Sequence, residues 1–181
     1  MFTLLGRYEN FPENIHGISY FQHQDSMKSI QQAIFCTFHR LNSETFDIGT
    51  VTPYLKQKYE VGFEFGVADG FDFNFLDQNE LDQCLKSVDE TELEILDFFS
   101  TVRYHLIKDD GKRVPLRFDY HVLRFVFKEG VLELRIRHER GTQHVSIDDL
   151  TDFLVKQINA ELSRSQLGPL FFGSFEKVSI Q

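Results

Sequence analysis

The chain reads as an α+β fold: a phenylalanine-rich, mainly antiparallel sheet built from consecutive hairpins, with about three helices packed on it. Three observations predict this. Apolar residues alternate with period two on both sides of turn signals at Asp69-Gly70, Asp109-Asp110-Gly111 and Glu129-Gly130. Apolar stripes at helical spacing occur before, between and after those runs, the pattern of an α+β domain. No internal repeat or Pro/Ser-rich linker divides residues 1–181, so they read as a single globular domain. A chain of this size buries roughly 70% of its unfolded surface.

Taken in order, Phe2 to Leu5 and Ile18 to His23 read as short strands separated by a turn-rich segment with Pro12, Asn14 and Gly17. Asp25 or Ser26 caps a helix to about Leu41, whose stripe is Met27, Ile30, Ile34, Phe38 and Leu41. Asn42 to Tyr59 shows no clean period and reads mostly as loop. Val61 to Leu76 is the strongest hairpin signal. A three-residue loop, Ala68 to Gly70, would place Phe63, Phe65, Phe71, Phe73 and Phe75 on one buried face, with Gly70 in the left-handed conformation. Asp77 with Glu80 resembles a capping box for a helix carrying Leu81, Cys84, Leu85 and Val88.

Leu93 to Arg140 reads as long strands. The Asp109-Asp110-Gly111 loop would align Leu106 with Val114, Tyr104 with Leu116 and Val102 with Phe118. Apolar parity then changes between Phe118-Tyr120-Val122 and Leu123-Phe125-Phe127, which predicts a β-bulge near Val122. A two-residue turn at Glu129-Gly130 pairs Phe127 with Leu132, Phe125 with Leu134 and Leu123 with Ile136. Ser146 with Asp149 caps a helix to about Ser163, and Leu170 to Ile180 reads as an edge strand.

Charge is distributed unevenly. Residues 103–140 hold ten Lys/Arg against six Asp/Glu, whereas the remainder holds nine against twenty-two, within a total of −9. The expected registers place Arg103 opposite Arg117, Arg124 opposite Arg135, and Arg137 opposite Val122, all on the face away from the apolar residues. With Arg140 they form a candidate anion-binding face. Opposed like charges are unfavourable by tenths of a kcal/mol to about 1, and arginine forks suit carboxylate or phosphate. The competing explanation is neutralisation by the chain's acidic helices (Asp82, Asp89, Glu90, Asp152) or by a second copy. The acidic total argues against wholesale nucleic-acid coating, so only the local patch keeps nucleic acid among the partners.

Seven histidines are present, and the 129–130 turn sets His121 across from His138. With His105 these are candidate acid–base groups for an enzyme acting on a phosphorylated or nucleotide-like substrate, the alternative to a non-enzymatic binding domain. No HxH, HxxxH or HExxH spacing supports a metal, and no GxGxxG, GxxxxGK[ST] or GxSxG motif implies a cofactor or nucleophile. Cys36 and His39 share a helical turn without an orienting carboxylate, and Cys84 falls in an apolar stripe. Asp69, Asp72, Asn74 and Asp77 lack the order of a calcium loop. No apolar run reaches membrane-span length and no signal core follows the N-terminus, so a cytoplasmic location is expected, with no membrane partner. Exposed sheet edges point to self-association as a homodimer.

Overall fold

The computed structural model describes residues 5–53 and 58–177. Its elements are β1 (Gly17–Gln22), α1 (Met27–Leu41), β2 (Thr45–Asp47), α2 (Ile48–Val51), β3 (Tyr59–Asp69), β4 (Asp72–Phe75), α3 (Gln78–Glu90), β5 (Ile95–Ile107), β6 (Arg113–Lys128), β7 (Val131–Arg140), α4 (Ile147–Arg164) and β8 (Phe171–Lys177). The eight strands form one antiparallel sheet in the order β2-β3-β5-β6-β7-β1-β8, with β4 pairing to β3. It is an α+β fold. None of the described helices is long and apolar enough to cross a membrane.

The long helices begin where the caps predict. Ser26, Asp77 and Ser146 side chains accept from the amides of Ser29, Glu80 and Asp149 respectively, satisfying donors that the first turn leaves free. The helical apolar stripes close over one sheet face. Phe38 stacks on Phe65 at 4.1 Å between ring centroids and meets Phe98 edge-on at 4.6 Å; Phe153 stacks on Phe63 at 5.2 Å. The Phe-rich core is built from such contacts, which add to simple area burial. Cys84 is buried in it, as its stripe predicts.

Several expectations are corrected. The segment read mostly as loop also contains the three-residue β2 and the single turn α2, with residues 54–57 outside those described. Of the N-terminal strand only Leu5 is described, bridging to Asp69. In the β3–β4 hairpin Asp69 pairs with Asp72, Ala68 with Phe73 and Gly66 with Phe75, so the loop is Gly70-Phe71 rather than Ala68 to Gly70. Gly70 does take a positive φ (+74°), as a two-residue loop with glycine first requires. Phe73 and Phe75 consequently lie on the face opposite Phe63 and Phe65, and Phe71 and Phe75 are exposed. The reason is that this second face is itself covered nearby. Residues 5–9 run alongside Ala68 to Gly70, and Tyr8 packs on Phe73 at 4.7 Å.

The β5–β6 register begins as predicted, Leu106 with Val114, and then shifts between Arg103 and His105. Val102 therefore pairs with Asp119 instead of Phe118, and Arg103 pairs with Phe118 instead of Arg117. The parity change falls near Leu116-Arg117, not Val122. From there Asp119, His121, Leu123, Phe125 and Phe127 face the core without interruption, all buried. The apolar pattern chose Phe118 and Tyr120 for the core; hydrogen bonds to Asp119, described below, override it. A second shift leaves Glu139 as an extra residue in β7 between the pairs Tyr120–Arg140 and His121–His138. The pairs Arg124–Arg135, Val122–Arg137 and those closing the 129–130 turn form as expected.

Candidate functional site: the outer face and the polar network behind it

The sheet face away from the helices is crossed by an N-terminal strap, residues 5–15. A latch at Asp97 and Arg124 holds it. Arg124 donates through Nε and Nη2 to the two carboxylate oxygens of Asp97 at 2.8 and 2.7 Å, and through Nη2 to the Tyr8 carbonyl. Tyr8 N–H donates back to Asp97 at 2.8 Å, and the Arg124 guanidinium lies 4.2 Å over the Phe11 ring. Asp97 is fully buried, and burial raises its pKa despite the opposing pull of the Arg124 fork.

Between strap and sheet lies a groove of about 660 Å³, within the range of small-molecule sites. Its floor is aromatic. Tyr8, Phe73, Phe99 and Tyr120 form a chain of ring contacts with successive centroids 4.7, 5.6 and 5.3 Å apart, and Phe118, 4.9 Å from Tyr120, continues it outside the groove. Arg137, Glu139 and Arg140 border the groove from β7, and Glu13 and Asn14 from the strap.

The six candidate arginines do not act as one set. Arg124 belongs to the latch. Arg135 pairs with the buried Glu133 at 2.8 Å, and Arg137 pairs with Glu139 at 3.1 Å and donates to the Asn14 carbonyl. Arg103 pairs with Glu64 at 2.9 Å, both side chains being about half exposed. Arg117 and Arg140 are exposed and have no ion pair among the described residues. Neutralisation thus comes from strand carboxylates. The acidic helices expected to supply it lie on the other face, where Asp89 pairs with Lys28.

Behind the groove, the intervening residues of the same strands build a polar network in the core. Asp119 accepts from Tyr104 Oη at 2.5 Å, from Gln143 N–H at 2.7 Å and from His138 Nε2 at 2.9 Å. Burial pushes the Asp119 pKa upward, but these three bonds outweigh it and the net shift is downward. An ionised Asp119 can only accept, which places the His138 proton on Nε2. Burial and the bond to Asp119 raise Tyr104 in turn. His138 N–H donates to His16 Nδ1, carrying the chain of contacts outward. Gly141 closes the network at φ +121°, where a Cβ would collide with Asp119 and the Phe118 carbonyl.

His121 is different. Its ring lies 5.1 Å from that of His138, yet neither of its nitrogens has a hydrogen-bond partner among the described residues, nor does Oγ of Ser100, its register neighbour on β5. Burial, reinforced by the His138 charge, lowers its pKa to about 4 and keeps it neutral at pH 7. His105 stands five residues further along β5 than Ser100, ~16 Å at strand spacing. Of the three candidate acid–base histidines, His138 alone bonds a carboxylate, His121 packs beside it without a hydrogen-bond partner among the described residues, and His105 does not join them. The described residues contain no His/Cys/Asp/Glu group arranged to hold a metal.

Sequence reading missed the aromatic floor and the strap. Phe73, Phe99 and Tyr120 carried the signal, but each was expected in the core or left unassigned. Comparison with protein-family models, curated proteins and solved structures yields no match.

Proposed function

We propose that the protein is a non-enzymatic binding domain whose outer sheet face takes an anionic partner. One observation carries this reading: Arg140, without an ion pair among the described residues, borders the aromatic-floored groove across from Tyr120. Arg137 borders the same groove, and Arg103 flanks the adjoining surface in an exposed pair with Glu64. Such exposed pairs contribute only about 0–1 kcal/mol, so a ligand anion can displace the carboxylate. Acid–base chemistry by His121 would require a substrate to reach a fully buried imidazole on the far side of the sheet from the groove. That geometry favours binding over catalysis.

The test is calorimetric titration with inorganic polyphosphate at about 50 and 200 mM salt, on the parent chain and on an Arg103→Glu, Arg140→Glu variant. Binding that weakens with salt and is lost in the variant is expected, because counterion release dominates such contacts. No binding at the lower salt would overturn the reading. Self-association belongs to the same proposal. β8 is a terminal strand of the sheet with Phe171 and Phe172 exposed, an edge suited to pairing with a second copy.

A further inference from the structure

The anion-binding reading leaves open which class of anion, and the arrangement of rings and cations on β5–β7 bears on that. Successive outward residues of β6 alternate with arginines on the neighbouring strands: Phe118 pairs with Arg103, Tyr120 with Arg140, and Val122 with Arg137. Phe118 is 43% exposed, on the face opposite the buried Asp119 and His121. Its ring contacts Tyr120 and extends the aromatic chain beyond the groove into open surface.

Resting on that reading, we propose that this face binds single-stranded nucleic acid without reading its sequence. Bases stack on Phe118 and Tyr120, and the intervening phosphates meet Arg140 and Arg103. A π-face paired with a neighbouring cation is the general requirement for holding an unpaired strand, because every base can stack and every linkage carries a charge. A duplex hides its base faces and offers only phosphates. A simple polyanion or an acidic peptide has no planar groups for the rings. Glu13 and Glu139 both line the groove and repel a backbone there, so the strand's path runs over Tyr120 and Phe118 rather than into the groove.

The experiment is fluorescence anisotropy at about 50 mM salt with labelled oligo-dT, a duplex of equal length and poly-glutamate, with inorganic polyphosphate as competitor. Phe118→Ala and Arg140→Gln variants are compared with the parent, folding being checked by circular dichroism. Phe118 is exposed, so its truncation leaves the core untouched. We expect oligo-dT to bind at least tenfold tighter than duplex. Phe118→Ala should weaken oligo-dT by roughly 5- to 100-fold, the range for one stacked base, and leave polyphosphate unchanged. Arg140→Gln should weaken both. Equal binding of oligo-dT and polyphosphate, with Phe118→Ala silent, overturns the nucleic-acid inference while the anion-binding reading stands. Preference for poly-glutamate overturns it in favour of an acidic protein. No binding by any polyanion removes both.

Discussion

Arg124 and Arg140 lie on the same sheet face and would be interchangeable in a charge count, yet their surroundings assign them opposite roles. Arg124 is bidentate to a fully buried carboxylate, and removing it strands a buried charge beneath the strap. Arg124→Ala is expected to lose about 3–5 kcal/mol of stability in urea unfolding, whereas Arg140→Ala should change it by less than about 0.5. His121 yields a pH prediction. Its folded pKa of about 4 lies below the unfolded value near 6.5, so between these values the unfolded chain binds the extra proton. Stability is therefore full above about pH 6.5 and declines by about 1.4 kcal/mol per pH unit down to about pH 4. His121→Leu, which removes two unsatisfied nitrogens, should flatten that decline and be neutral or stabilising at pH 7. Unfolding midpoints at pH 7, 5.5 and 4.5 check both; an unchanged slope in the variant would rule out His121 as the source.

Among elements, the β3–β4 hairpin separates phenylalanines that look alike in sequence. Phe65 is fully buried against Phe38, and Phe65→Ala should cost about 3–5 kcal/mol; Phe71 is 66% exposed, and Phe71→Ser should cost almost nothing. Thermal melts of the two variants would show it. A register with all five rings on one face instead requires similar losses. The three long helices and the 129–130 hairpin were legible in the chain because local caps, stripes and a short turn determine them; the single turn α2, which has no side-chain cap, was not. The β5–β6 register was not, since nothing local announces that Asp119 will find Tyr104, His138 and the Gln143 amide around it. Those partners come from three separate segments, and together they reverse the inward preference of Phe118 and Tyr120. The arginine face was legible as a charge cluster, and Arg124–Arg135 and Arg137–Val122 pair as read. Which guanidiniums stay uncommitted depends on strand neighbours such as Glu64 and Asp97, brought in by β3 and by β5's own register.

At the scale of the molecule, the helices cover one face of the sheet and leave the other to the strap, the groove and open surface. Completion of the sheet depends on β8, which pairs only with β1 and sets Phe172 against the buried Phe21, 5.7 Å between rings. A chain ending after Leu170 would expose the β1 edge together with that ring. Light scattering should then detect concentration-dependent association beyond that of the intact protein, and unchanged scattering would show that β1 needs no cover.

The pairing of β1 with β8 also sets an order of assembly. β5, β6 and β7 are consecutive hairpins that can form as soon as they are made, while β1 and β8 are separated in the chain by every other element of the fold. Loop closure over that span is slow compared with hairpin formation, so β1 has to wait with one side unsealed. The strap faces the same delay, because its anchor exists only after β5 and β6 have brought Asp97 and Arg124 together. The groove proposed to bind a ligand therefore closes only after β5 and β6 have paired, and a nascent chain displays Arg103 before the strap has an anchor.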